Sequence, residues 1–358
     1  MENKRITGLE KIIIFLCIVF KYFISYTITK RFLYIFLTII MLLVLIDLYY
    51  KKFTKREFLT IILFFICSLY FVLIYEDVNF LISVCLGVLF FENDKKKFVK
   101  VFTIASVFMF LTTIVLSKIG FLESHNMIRY TETGTKIRYS FGFTHPNEVF
   151  LFFLPIALGL YYLYDSKKVY FLIIFSSLIL YIYSDSRTGI ISIILLFIFN
   201  FFIKNKRCRV QDKIIKLMPY MMFIFTIFSI IVTIRYGTDS KGMISRFLSG
   251  RPYYWNYYIN NDLLFSLFGK NKIEGYFLDN YYLYILVELG MISYIIYSSI
   301  YYIYYKKIGN NLSRKELIIA LVFFTYGICE VNVIIGSINF LFAMQIAYII
   351  KDKKIKIE

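Results

Sequence analysis

The segment RYSFGFTHPNE, Arg138 to Glu148, holds His145, one of two histidines in the chain, and stands directly before the apolar run VFLFFLPIALGLYYLY. A guanidinium and an imidazole at that spacing could bind an anion and move a proton. Two further sets repeat the placement. SDSRTG puts Arg187 at the mouth of the run 188–203. ISRFLSGRPYYWNYY carries Arg246, Arg251 and the only tryptophan, Trp255, ahead of Asp279 and Asn280, which open the run 280–304. Helix starts present free backbone N–H groups and the positive end of the helix dipole, so each mouth is a natural seat for an anion. Pro146 suits the first position of a helix and Glu148 its first turn. Three such starts, with Arg138, Arg187 and Arg251, could converge on one dense anion such as a lipid-linked diphosphate, whose oxygens suit forked arginine contacts.

The elements that must position these groups are long apolar runs. They lie near 11–28, 32–50, 58–75, 78–91, 98–120, 147–164, 168–184, 188–203, 217–235, 280–304, 316–330 and 333–350. A hydrophobic share of 59% and a mean hydropathy of +0.70 exclude a soluble globule. The expected fold class is all-α: a polytopic integral membrane protein of about twelve transmembrane helices, one membrane-embedded domain over residues 1–358.

A net charge of +18 raises nucleic acid as a partner, and its distribution argues against it. With the N-terminus inside, the alternate spacers YYKKFTKRE, ENDKKKF, DSKK, KNKRCRVQDK, KKIGNNLSRK and the tail KDKKIKIE collect most of the 41 lysines and arginines on the cytoplasmic side. The surplus charge thus sets orientation against the bilayer and its anionic headgroups. Both termini are expected in the cytoplasm, with two larger external loops over about 118–146 and 236–279. The first apolar run lacks a small-residue cleavage site and reads as a retained helix. Cys17, Cys67, Cys85, Cys208 and Cys329 have neither metal nor disulfide spacing and read as small apolar fillers. P-loop, zinc-ligand and nucleophile-elbow patterns are absent, and no metal or cofactor is expected.

Each candidate has a structural reading beside the chemical one. Arg187 could snorkel to the interface, and His145 could be an ordinary helix cap. Tyr253, Tyr254, Trp255, Tyr257 and Tyr258 could form an interfacial belt or a sugar-stacking platform. Glu288 is placed inside an apolar run, where a carboxylate costs about 2.5–3.5 kcal/mol and needs a partner or cavity. Lys21 and Glu330 are weaker cases of the same kind.

RYSFGFTHPNE, SRTG, SGRPYYW and DNYYLYILVELGMI, in this order in the second half of the chain, resemble the O-antigen polymerase and ligase superfamily, most of all Wzy-type capsule and O-antigen polymerases. The resemblance implies a membrane glycosyltransferase of the C type (GT-C) using undecaprenyl-diphosphate-linked oligosaccharides, without metal or nucleotide sugar. It makes Arg187 and Arg251 diphosphate ligands. In the ligase branch a histidine precedes the asparagine that opens the following span; here that position is Asp279. The expected site therefore has Asp279 or His145 as base, and Arg187, Arg251, Arg138, Arg246, Asn147, Trp255 and Asn280 as substrate-binding residues.

The reading that follows is a polymerase of oligosaccharide repeat units on the outer face of the cytoplasmic membrane, with lipid-linked oligosaccharide as donor and acceptor and a flippase and chain-length regulator as partners. One alternative is a ligase moving a finished chain to another acceptor. The other is a flippase, which predicts ionisable residues near the midplane and related halves. The orientation has its own test: a cysteine introduced near Lys136 or Lys270 should react with an impermeant reagent added outside intact cells, while native Cys208 should not. Labelling of Cys208 would invert the topology.

Overall fold

The computed structural model describes residues 6–25, 29–91, 93–131, 134–204, 209–239, 242–260, 266–269, 278–331 and 336–351. Cys208, Lys270 and the side chain of Arg246 lie outside the described residues. In chain order the helices are α1 (Gly8–Ser25), α2 (Lys30–Tyr49), α3 (Lys55–Tyr75), α4 (Asn79–Phe90), α5 (Lys95–Lys118), α6 (Pro146–Leu163), α7 (Lys167–Ser184), α8 (Arg187–Phe202), α9 (Arg209–Leu217), α10 (Met221–Tyr236), α11 (Met243–Phe247), α12 (Arg251–Asn260), α13 (Tyr281–Leu283), α14 (Gly290–Ile308), α15 (Arg314–Tyr326) and α16 (Phe340–Ile350). The chain gathers into two compact units. The first comprises Met1–Ser68, Val78–Phe197 and Ile335–Glu358, the second Leu69–Asp77 and Ile198–Ile334.

The protein is mostly helical, as expected for a membrane protein built from apolar runs. Among the described residues six helices are long and apolar enough to cross a membrane: Arg31–Tyr49, Lys55–Tyr75, Lys95–Lys118, Pro146–Leu163, Lys167–Ser184 and Arg209–Tyr236. The runs expected at 78–91, 188–203 and 333–350 form shorter helices, Asn79–Phe90, Arg187–Phe202 and Phe340–Ile350. Two of these have a clear packing role in the first unit. Every residue of α4 from Phe80 to Phe90 is buried, as are most of α16. They pack together so closely that a Cβ on Gly87 would meet Ile346 Cγ2 at 2.6 Å. Apolar helices of this length are typical of a buried core.

The expected run 280–304 is not one continuous helix. After α13 comes a π-helical stretch, Tyr284–Glu288, and α14 begins only at Gly290. Gly290 adopts φ +79°, and a Cβ there would lie 2.1 Å from the backbone nitrogen of Gly269. Only glycine combines that backbone with so close an approach. Residues 266–269 seal the break, because Ser266 and Leu267 accept hydrogen bonds from the amides of Met291 and Ile292 at 2.9 and 3.2 Å. Irregular backbone at this position therefore has backbone partners. Glu288, at the end of the π stretch, is buried.

One element departs from the all-α expectation. An antiparallel hairpin, β1 (Met127–Thr131) and β2 (Gly134–Arg138), sets Arg129 directly opposite Lys136. Like charges so paired repel. Both instead grip Asp185 at the end of α7, Arg129 Nη1 at 2.8 Å and Lys136 Nζ at 2.9 Å. Asp185 takes a left-handed conformation, φ 49°, which turns α7 toward α8. The Tyr139 amide also donates to the Tyr183 carbonyl at 2.9 Å, so the hairpin is fastened to the helix end through backbone as well as charge.

Burial raises the proton affinity of Asp185, but its bonds and proximity to Lys136 and Arg129 outweigh this and hold its carboxyl below the usual aspartate value. A depressed carboxylate contributes stability above its unfolded pKa, about 3.9, and loses it as pH falls through the lower folded value. Spin labels on Thr135→Cys and Ile182→Cys should therefore give a narrow distance distribution at pH 7 that broadens only below about pH 4. Adding Asp185→Asn, which tolerates the left-handed backbone, should broaden it at neutral pH. An unchanged distribution in that variant would show that the ion pairs do not hold the hairpin.

Candidate functional site

In the first unit, the sequence-predicted residues assemble around the start of α6. His145 is the N-cap: its Nδ1 accepts the Asn147 amide at 3.0 Å, Pro146 occupies the first helical position, and Glu148 accepts from the Thr144 amide and hydroxyl at 3.1 and 2.7 Å. Because Nδ1 is the acceptor, a neutral imidazole carries its proton on Nε2. While it caps, His145 has no lone pair to offer as a base. Arg138 donates from Nε to the Ser184 carbonyl at 2.9 Å and from Nη2 to Asn147 Oδ1 at 2.6 Å. It thus braces the start of α6 against the end of α7, and Asn147 is its partner.

Arg187 is the first residue of α8, and its side chain is exposed. Among the described residues no hydrogen bond or ion pair engages it. It is the cation in this group that a ligand could reach without displacing a partner. The hydroxyls of Ser140, Ser184 and Ser186 in the neighbouring turns are buried and unpartnered.

The second unit holds the other set. Two left-handed residues, Ser249 (φ 58°) and Gly250 (φ 78°), turn the chain into α12 so that its first residue, Arg251, points inward. Arg251 is only 7% exposed. Its Nε lies 3.5 Å from Asp279 Oδ2, and its Nη2 lies 3.5 Å from Glu330 Oε1. Both separations exceed the roughly 2.7–2.9 Å of a tight charge-assisted bond. Nε makes no hydrogen bond. Burial opposes the Arg251 charge, yet Glu330 and Asp279 outweigh it and raise the guanidinium pKa further.

The carboxylates arrive by a specific route. Asn280 caps α13, accepting from the Tyr282 and Leu283 amides at 3.0 Å each, and donates to Ser229 Oγ at 2.9 Å. The Tyr281 amide then donates to the Gly327 carbonyl at 2.8 Å, tying the start of α13 to the end of α15. Asp279 just before the first element and Glu330 just after the second are so brought to Arg251. The Asp279 side chain is 47% exposed against 12% for Glu330. Asp279 is the group of the three that a substrate can reach.

Two expectations for this set change. Asn280 is completely buried and fully engaged as a cap, so it cannot hold a sugar hydroxyl. Trp255 is also completely buried, packed with Val232, Tyr258, Leu278, Leu283 and Val287, and a ring so enclosed is no stacking platform. It anchors α12 to the core. Tyr253, Tyr254 and Tyr257 keep exposed faces.

Sequence reasoning missed the role of Glu330 and several buried donors of this unit. The hydroxyls of Ser245 and Tyr326 and the indole nitrogen of Trp255 are all buried without a partner, as is Arg251 Nε. A carboxylate at the end of an apolar run was the signal available for Glu330. Nothing in the spacing marks Ser245 or Tyr326. The described residues contain no group of acidic, cysteine or histidine side chains able to hold a metal ion.

The chain matches no family model, no curated protein and no solved structure. The case for function rests on the residues themselves.

The cap assigned to His145 separates structure from chemistry. His145→Asn keeps an acceptor at the N-cap and should preserve both melting temperature and product formation, whereas His145→Ala should lose about 1 kcal/mol. A stable but inactive His145→Asn protein would restore the imidazole as a base.

Proposed function

We propose that the protein is a membrane glycosyltransferase that polymerises undecaprenyl-diphosphate-linked oligosaccharide repeat units on the outer face of the cytoplasmic membrane, as a polytopic GT-C-type enzyme of about twelve spans with both termini inside. The observation that carries this reading is Arg251: a buried guanidinium with an unbonded Nε, loosely paired to a half-exposed Asp279. A tight ion pair would be a finished structural contact. A loose one with spare donors suits an anion that arrives with the substrate.

The chemistry then follows from the residues. The growing chain is the donor, and its anomeric carbon–oxygen bond to the diphosphate breaks. A hydroxyl at the non-reducing end of a new lipid-linked repeat forms the glycosidic bond and gives its proton to Asp279. Charge developing on the departing diphosphate is stabilised by Arg251, whose guanidinium stands between Asp279 and Glu330 before the reaction; the resemblance makes Arg187 a diphosphate ligand as well. The resemblance of SRTG, SGRPYYW and DNYYLYILVELGMI to Wzy-type polymerases supports the same roles.

Polysaccharide from a strain lacking the protein discriminates the readings: single repeats indicate a polymerase, long carrier-linked chains a ligase, and repeats stranded inside a flippase. Arg251→Lys tests the site itself. Lysine retains the charge that Asp279 and Glu330 require but loses the planar fork, so polymer should fall by about 10²-fold or more at matched protein level, the scale of losing one preorganised donor. Full-length polymer from that variant would reduce Arg251 to a structural ion pair.

A further inference from the structure

A second binding feature lies in the first unit, away from every residue used above. A groove of about 760 Å³ runs between α1 and α5, walled by Phe15, Val101, Ile104 and Phe108 and bordered by Lys11, Lys97 and Lys100. The lysines come from the opening turns of the two helices, so two positive dipole ends add to three ammonium groups. The carboxylates nearest in sequence do not neutralise them. Glu10 is taken by Lys51 at 2.9 Å, by Asn93 at 3.0 Å and by the Thr7 amide at 2.8 Å. Asp94 caps α5 by accepting the Lys97 amide at 3.1 Å. Among the described residues, none of the three lysines has an ion-pair partner.

Below the lysines the surface is apolar and open. Ile104, Phe108, Leu111 and Val115 follow one another at helical spacing along α5, each more than half exposed. At about 1.5 Å per residue they form a strip of roughly 16 Å. α5 is one of the helices long and apolar enough to cross a membrane, so this strip can run into the hydrocarbon from a charged entrance. A bare cluster of three cations above an apolar channel has one complementary occupant: a molecule with a phosphate head and a hydrocarbon tail.

We propose that the groove binds one anionic phospholipid, its phosphate held by Lys11, Lys97 and Lys100 and an acyl chain laid against Phe15, Ile104 and Phe108. This goes beyond the polymerase reading and depends only on the protein being embedded in a bilayer. The ammonium groups act as point charges, so the site selects the charge of the headgroup rather than its further chemistry.

Native mass spectrometry of the full-length protein, with dioleoyl phosphatidylglycerol, dioleoyl phosphatidylcholine or inorganic phosphate added in turn, tests it. The wild type should retain one phosphatidylglycerol in strong preference to phosphatidylcholine, and phosphate at the same concentration should not displace it. Each lysine near a membrane surface is worth about fivefold in affinity, so Lys11→Gln, Lys97→Gln and Lys100→Gln combined should weaken retention by on the order of a hundredfold. Lys306→Gln with Lys307→Gln, which removes charge elsewhere, should not. Should the triple variant be unstable, Phe108→Trp in the otherwise native chain decides: its fluorescence should be quenched by brominated phosphatidylglycerol and not by brominated phosphatidylcholine. Equal retention or quenching with both lipids, an unaffected triple variant, or displacement by phosphate alone would each overturn the proposal.

Discussion

A guanidinium taken out of water must be compensated, and the layout of the second unit can be understood as the means of compensating Arg251. The residue cannot be deprotonated at any relevant pH, so burial cannot be relieved by neutralising it. Two carboxylates are needed nearby, and they come from segments separated by half a hundred residues. The Asn280 cap, the Tyr281–Gly327 backbone bond and the enclosed Trp255 are the contacts that fix where Asp279, Glu330 and α12 end up. Removing the guanidinium would leave two neighbouring carboxylates to repel each other, a larger penalty than the modest net worth of the intact pairs.

Electrostatics organises the first unit differently. There the charges sit nearer water, and their task is attachment. Arg129 and Lys136 would repel each other across the hairpin, and a shared carboxylate converts that conflict into a clamp. Arg138 does comparable work with neutral acceptors, spanning Ser184 and Asn147. Of Arg129, Lys136, Arg138 and Arg187, the last alone is held by none of these braces. The sequence motif and the unencumbered side chain agree on the same residue.

How much of this could be read from the chain follows from the range of the interactions. The apolar runs and the start of α6 were legible because hydropathy and capping are local: Pro146 and Glu148 mark the helix, and His145 precedes it. The split in the run 280–304 was not, because its cause is the approach of Gly269, a contact whose partner lies outside the run. The hairpin was hidden for a related reason, since IRYT and TKIR are too short and too charged to stand out, and their ion-pair partner Asp185 lies far along the chain. For the candidate site, residue types singled out Arg251 and Asp279, which the structure brings within 3.5 Å of each other. They carry no sign that Trp255 and Asn280 are enclosed, because a buried anchor and an exposed ligand look alike in one dimension.

The packing of α4 against α16 bears on biosynthesis. These helices are separated by about 250 residues, and ribosomes add roughly 5–20 residues per second. For some tens of seconds α4 must therefore wait beside the translocation machinery with its partner face uncovered, while α5 to α15 are made. An apolar helix too short to span and lacking its mate is a substrate for membrane chaperones and proteases. The smallness of Gly87 leaves the room that Ile346 of the late-made α16 occupies against α4.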